Sequence, residues 1–193
     1  MKAKIAIVGV GNVGSALRRG LERAGHEVWA VGNDPKAVHD AGAWAEIVLL
    51  AVPFSAIDAA MEALSDDTDG KPLVDATNAL TGETRLALGC TTSGAEELQK
   101  KAPRAKVVKA FNTVFAGAME SGRVGGEQLT AFAAGDDKDA RQRVLELARD
   151  IGFDAVDAGP LENARWLETL GLFDIQRGYV LGMGTDIGFR LVH

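Results

Sequence analysis

The chain has 193 residues, 47% of them hydrophobic and 25% charged, the make-up of a soluble globular protein with one sizeable core. Its net charge of −6 excludes the basic footprint of a nucleic-acid binder, and no apolar run reaches the ~18 residues of a membrane span. The lone Cys90 excludes an internal disulfide, and His26, His39 and His193 are too scattered for a metal-ligand motif.

Lys4-Ile5-Ala6-Ile7-Val8 reads as a first strand. It begins so near Met1 that no signal peptide is expected, and a reducing cytoplasm is the expected setting. Gly9-Val10-Gly11-Asn12-Val13-Gly14 follows directly. A G-x-G-x-x-G turn is common by chance, but between a strand and a helix it marks a dinucleotide site. Its glycines let the backbone turn tightly and approach a pyrophosphate. The next helix offers free N–H groups and the positive end of its dipole. Val13, Leu17, Leu21 and Ala24 recur at helical spacing, and Gly25 ends the run.

Further strands are predicted at 27–31, 46–52, 72–76, 106–111, 129–134 and 153–157, with helices between most of them. Phe54, Ile57, Met61 and Leu64 form one core-facing stripe. Ala140, Val144, Leu147 and Ile151 form another, with Asp136 or Asp137 placed to cap it. Lys100, Lys101, Arg104, Lys106 and Lys109 read as a solvated basic stretch. This alternation predicts an α/β fold: a Rossmann-type, doubly wound, mostly parallel sheet with a small helical C-terminal portion at about 160–193. The whole chain, 1–193, is expected to be a single NAD(P)-binding domain. The segment between Val31 and Ile47 is short, so one strand or part of a crossover helix is expected to be trimmed there. Residues 161–182 read as one long helix, apolar nearly all round. Such a helix is expected to be buried, under the C-terminal segment or in a homodimer, with the balance favouring the dimer.

The end of the second strand chooses the dinucleotide. Gly32 falls where an acid reads the ribose of NAD, and Asp34 is the next candidate for that role. A glycine leaves room for a 2′-phosphate, Asn33 can donate to it, and Lys36 can bring one charge from the following turn. This favours NADP, with NAD the alternative. Ala51-Val52-Pro53 closes the third strand, where Val52 and Pro53 can pack on ribose or nicotinamide, or Pro53 can simply start a helix. Asn78, Asn112 and Thr113 sit at the ends of the fourth and fifth strands. Each can bind the carboxamide or a second substrate, or cap a helix. No nucleophile–base arrangement or carboxylate pair stands out at these edges, which suits hydride transfer between two bound cofactors. Reduction of a small imine or carbonyl would need a proton donor, for which Tyr179, Lys109 and Thr113 are the candidates. A dinucleotide-binding sensor without turnover is the third reading.

Several ordered motifs carry a resemblance: Gly9 to Gly14, Leu49 to Pro53, Val74 to Asn78, Val107 to Thr113, Asp157 to Leu161, Asn163 to Arg165, Glu168, and Gly182 to Phe189. Nearly end to end, they resemble the NADP-dependent coenzyme F420 reductase family, and are similar to the cytosolic reductase domain of six-transmembrane metalloreductases. The resemblance implies a Rossmann domain, NADP at the glycine turn, hydride transfer to a flavin or deazaflavin (coenzyme F420) acceptor, and a homodimer. It implies that Gly9, Gly11, Asn12, Val13 and Gly14 hold the pyrophosphate and that Asn33 stands where the family often has Arg. It also implies that Val52 and Pro53 flank the nicotinamide-side ribose. Residues Ala110 to Thr113, with Gly182 to Gly184, would line the acceptor pocket. The missing Arg and the short segment after the second strand are departures from the family pattern.

Overall fold

The computed structural model describes residues 2–192, so His193 lies outside the described residues. In chain order its elements are β1 (Lys4–Val8), α1 (Asn12–Arg23), β2 (Glu27–Val31), α2 (Pro35–Trp44), β3 (Ile47–Leu50), α3 (Ile57–Leu64), β4 (Pro72–Asp75) and α4 (Gly94–Lys101). Then come β5 (Lys106–Ala110), α5 (Ala116–Met119), β6 (Arg123–Val124), β7 (Glu127–Gln128), β8 (Thr130–Ala134), α6 (Lys138–Ile151), β9 (Asp154–Asp157) and α7 (Ala164–Ile175). The predicted strands all form. The small β6–β7 hairpin is an addition, held by the tight turn at Gly125 and Gly126.

Seven strands make one sheet in the order β2-β1-β3-β4-β5-β8-β9. The first five run parallel, β8 is antiparallel to β5, and β9 is parallel to β8. Side chains alternate between two buried layers, as a strand dictates. Ile5, Ile7, Ile47 and Leu49 pack with Leu17 and Leu21 of α1 and Val144 and Leu147 of α6. Ala6, Val8, Val48 and Leu50 pack on the other face with Val38 of α2, Leu64 of α3 and Leu98 of α4. Helices therefore cover both faces, and the chain reverses its winding between β1 and β3.

The expected trimming falls on a strand. α2 is complete, capped by Asp34 and started by Pro35, and β2 is left as the sheet edge with no strand beyond it among the described residues. Asp137 caps α6 by accepting the Ala140 N–H at 2.8 Å.

Two expectations are corrected. Lys109 does not belong to a solvated stretch: it sits on central strand β5 and is fully buried. The helical segment after 161 is not buried all round. α7 buries Ala164, Leu167, Glu168, Gly171 and Asp174, while Trp166 is 64% exposed and Phe173 47%. Two acids, Glu168 and Asp174, face inward beside Leu167 while Trp166 and Phe173 face outward, unlike an ordinary surface helix. The inner face has chemistry to position, so packing alone does not decide the pattern.

Candidate active site

The three glycines of the turn after β1 are needed for different reasons. Gly9 has φ +116°, and a Cβ there would lie 2.3 Å from the Ala51 carbonyl oxygen. At Gly14 a Cβ would lie 2.0 Å from the Gly9 carbonyl oxygen, so α1 can seat against the turn only without a side chain. A Cβ on Gly11 would meet nothing within 4 Å. The fold requires the outer two glycines, and the middle one opens onto empty space at the N-terminus of α1. That is the cradle a pyrophosphate fits.

A continuous crevice runs from this point along the carboxyl ends of the parallel strands. Its outer part, about 430 Å³, lies between the Gly9–Gly11 turn, Gly32 and Asn33 after β2, and the small side chains Ala56, Ala59 and Ala63. Its middle part, about 340 Å³, shares Gly11, Ala51, Val52 and Pro53 with the outer one and reaches Thr77 and Asn78. Its inner part, about 230 Å³, shares Asn12, Val13 and Asn78 with the middle one and ends at Asn112, Asp174 and Tyr179. An elongated, mostly apolar slot at the strand-order reversal is where an open α/β sheet binds ligands.

Most of the expected residues line this slot: Gly9, Gly11, Asn12, Val13, Asn33, Ala51, Val52, Pro53, Asn78 and Asn112. Three do not. The Asp34 carboxylate accepts the Ala37 N–H at 2.8 Å and is committed to capping α2. The Lys36 ammonium lies along the exposed face of α2, 2.5 Å from Asp40. Ala110 is packed in the core among the residues shared with α6. Strand pairing with Ala133 fixes it there, away from the slot.

Asn78 and Asn112 cap no helix and bind one another instead. Each side-chain amide donates to the other residue, Asn78 Nδ2 to the Asn112 carbonyl and Asn112 Nδ2 to Asn78 Oδ1, both at 2.9 Å. Asn112 Nδ2 also donates to the Leu167 carbonyl of α7 at 2.9 Å. Gly171 makes room for the pair, since a Cβ there would stand 2.6 Å from Asn78 Oδ1. The preceding residue, Phe111, has φ +67°, a left-handed backbone that bulky side chains rarely adopt. Its ring is buried 6.2 Å from that of Phe153, which holds the turn in place.

The sequence reading missed three features. The first is a buried ion triad beneath the slot. Lys109 Nζ stands 3.0 Å from Asp75 and 2.8 Å from Glu168, and donates to the Thr77 carbonyl at 2.6 Å. Burial disfavours the ammonium, but the two carboxylates outweigh it and hold the Lys109 pKa above its ordinary value. Glu168 also accepts the Gly94 N–H at the start of α4. This pair of acids is brought together only by the fold. The second is Thr77, whose buried Oγ1 has no hydrogen-bond partner among the described residues and whose side chain lines the middle of the slot. An orphaned hydroxyl there fits a ligand that supplies its missing partner. The third is Asp174. Burial pushes its carboxyl up to about 6 against the opposing pull of Arg177. An acid within the mostly apolar run from Leu170 to Ile175 was the signal that pointed to it.

The sequence pattern described as NADP oxidoreductase, coenzyme F420-dependent, matches residues 4–41. A protein from Arthrobacter sp. FB24 described as a candidate F420-dependent NADP reductase superposes with a TM-score of 0.89 at 30% identity, covering 99% of this chain and 100% of that one. The chain belongs to the F420-dependent NADP oxidoreductase family. It is 32% identical to the F420-dependent NADP reductase of Methanothermobacter marburgensis, over 65% of this chain and 59% of that protein. It is also 32% identical to Metalloreductase STEAP3 of Rattus norvegicus, over 88% of this chain. The match spans only 36% of that metalloreductase. Among the described residues no helix is long and apolar enough to cross a membrane, and no cluster of metal-ligating side chains occurs. The family's sequence pattern covers β1, the glycine turn, α1, β2 and most of α2, which build one side of the outer slot.

Proposed function

We propose that this member of the family transfers hydride between NADP(H), lying along the crevice, and a flavin or deazaflavin acceptor such as coenzyme F420 at its inner end. The observation that carries the reading is the single slot passing Gly11, where a Cβ would meet open space. In this reading the outer part takes the adenosine, with Asn33 donating to the 2′-phosphate. The free N–H groups at the start of α1 hold the pyrophosphate. Val52 and Pro53 pack on the nicotinamide-side ribose, whose hydroxyls give Thr77 Oγ1 its missing partner. The bound dinucleotide supplies a hydride. The protein's part is to hold donor and acceptor face to face and keep water out. The locked Asn78–Asn112 pair, held on the turns just after β4 and β5 and against α7, supplies that rigidity.

We infer further that the whole chain works as one NAD(P)-binding unit in the cytoplasm. The outward apolar face of α7 and the turns after it, with Trp166, Phe173 and Leu181, supports a homodimer. Fluorescence titration with NADPH and, separately, NADH tests the cofactor, and NADPH oxidation with riboflavin or F420 tests the acceptor. Tighter NADPH binding and turnover with either acceptor is the expected result. Binding without turnover by any acceptor would instead make the protein a sensor.

A further inference from the structure

α7 carries two inward acids. Glu168 is committed to Lys109 and to the Gly94 N–H. Asp174 is not: it is 4% exposed and accepts no hydrogen bond among the described residues. It lines the inner end of the crevice and also a second cavity of about 580 Å³ behind it, bounded by Leu129, Phe173, Arg177 and Phe189. With no group among the described residues to bond it, this nearly buried carboxyl is served only by what fills the two cavities, which makes it a costly place for an acid with no task. Asp174 is the only acid shared by the two cavities, which puts it between the acceptor end of the slot and a separate route to water.

We propose that Asp174 is the acid that protonates the acceptor as the hydride arrives. This rests on reading the crevice as a hydride-transfer site. Reduction of a flavin-type or deazaflavin ring adds one hydride and one proton. The C4–H bond of the dihydronicotinamide breaks with its electron pair, and that pair forms the new bond to hydrogen at the acceptor's ring atom. The Asp174 O–H breaks, and its proton adds to a conjugated ring nitrogen that becomes basic as the electrons arrive. The dinucleotide is oxidised by two electrons and the acceptor is reduced by two. The Asp174 carboxylate then regains a proton from water through the rear cavity. The groups facing Asp174 are Arg177 on its own helical segment, Tyr179 and Asn112 around the inner cavity, and Glu127 and Arg190 across the rear one. Glu127 and Arg190 are 2.5 Å apart and neutralise one another. Arg177 is the one charge acting on the carboxyl, and burial prevails over it, so the acid keeps its proton up to about pH 6.

Asp174→Asn tests the assignment, because its amide has the shape of the protonated acid but no proton to give. The first readout needs no turnover. Infrared spectra of the wild-type protein should show a carboxylic C=O band that is lost as pH rises through about 6, absent in the variant and shifted by added riboflavin. A band that riboflavin leaves unmoved would place Asp174 away from the acceptor and overturn the proposal. The second readout is kcat/KM for NADPH oxidation with riboflavin or F420. It should fall by at least ~100-fold in Asp174→Asn at pH 5.5, with NADPH affinity retained. The wild-type decline above pH 6 should vanish in that variant, and Asp174→Glu should restore it. A variant that matches wild type across the pH range overturns the acid but leaves the functional reading standing. A wild type that fails to bind NADPH, or binds it and reduces neither acceptor, overturns the functional reading and the acid with it.

Discussion

Lys109 Nζ donates to the Thr77 carbonyl at 2.6 Å, so a buried side chain of β5 pins the chain just as it leaves β4. Asp75 completes the clamp, with one carboxylate oxygen on the Thr77 N–H at 2.9 Å and the other on Lys109. Residues Thr77 and Asn78, which form the middle of the slot, are thus fixed from below by charge and from the side by the Asn112 amide.

Lys109→Met removes the ammonium and leaves Asp75 and Glu168 facing one another in the core. A broken buried ion cluster costs about 3–5 kcal/mol. Urea unfolding of the variant at neutral pH should register a loss of that size. A loss below about 1 kcal/mol would mean the acids are already neutral or hydrated.

Gly11→Val should fold like the wild type, because the new side chain enters open space and the residue already has φ −71°. It should abolish dinucleotide binding by occupying the phosphate position. Circular dichroism paired with NADPH titration separates the two effects. Retained binding at near wild-type affinity would put the nucleotide elsewhere.

Asn33→Arg should tighten NADPH relative to NADH by about 1–3 kcal/mol, the scale of a charge-assisted hydrogen bond. The ratio of the two dissociation constants reads this directly. Because Asp34 is occupied in capping α2, it should not compete for the new guanidinium.

Asp174 should make stability depend on pH in a direction opposite to that of a salt-bridged carboxylate. Its folded pKa, about 6, lies above the unfolded value, so the native state binds the proton more tightly. The stabilisation is complete below about pH 4 and is lost as pH rises through 6, to a total on the order of 1–2 kcal/mol once solvent screening of a carboxyl that lines two cavities is allowed for. Asp174→Asn should lack this decline. Denaturation midpoints of the two proteins at pH 4.5 and 7.5 give the comparison.

The homodimer reading predicts that Trp166→Glu lowers the sedimentation coefficient to that of a monomer at micromolar concentration. Unfolding stability at high dilution should change little, since Trp166 is 64% exposed within one chain. A wild type that is already monomeric removes the dimer.

The sheet was legible in the sequence because its strands are buried on both faces and read as continuous apolar runs such as Ile47-Val48-Leu49-Leu50. The glycine turn was legible because strand, turn and helix follow one another without interruption. Lys109 was misread because a lone lysine near others looks like surface charge, and its partner Glu168 stands on an element far along the chain. Ala110 faced the core because strand alternation puts its neighbour, not itself, over the triad. Asp34 carried two readings at once, ribose acid and helix cap, and local hydrogen bonding decided for the cap.

The edge position of β2 has a consequence for how such a protein can change. Among the described residues no strand packs outside it, so the exposed Gly32–Asn33 loop hangs at the rim of the sheet and runs into further exposed residues, Asp34 to Lys36. In the proposed cofactor site, substitutions there would alter which dinucleotide is preferred while disturbing no packed neighbour. The inner slot has no such latitude, tied as it is to Lys109, Phe111 and Gly171. On the proposed reading, cofactor choice is the evolvable end of this molecule, and the geometry of the reaction its fixed one.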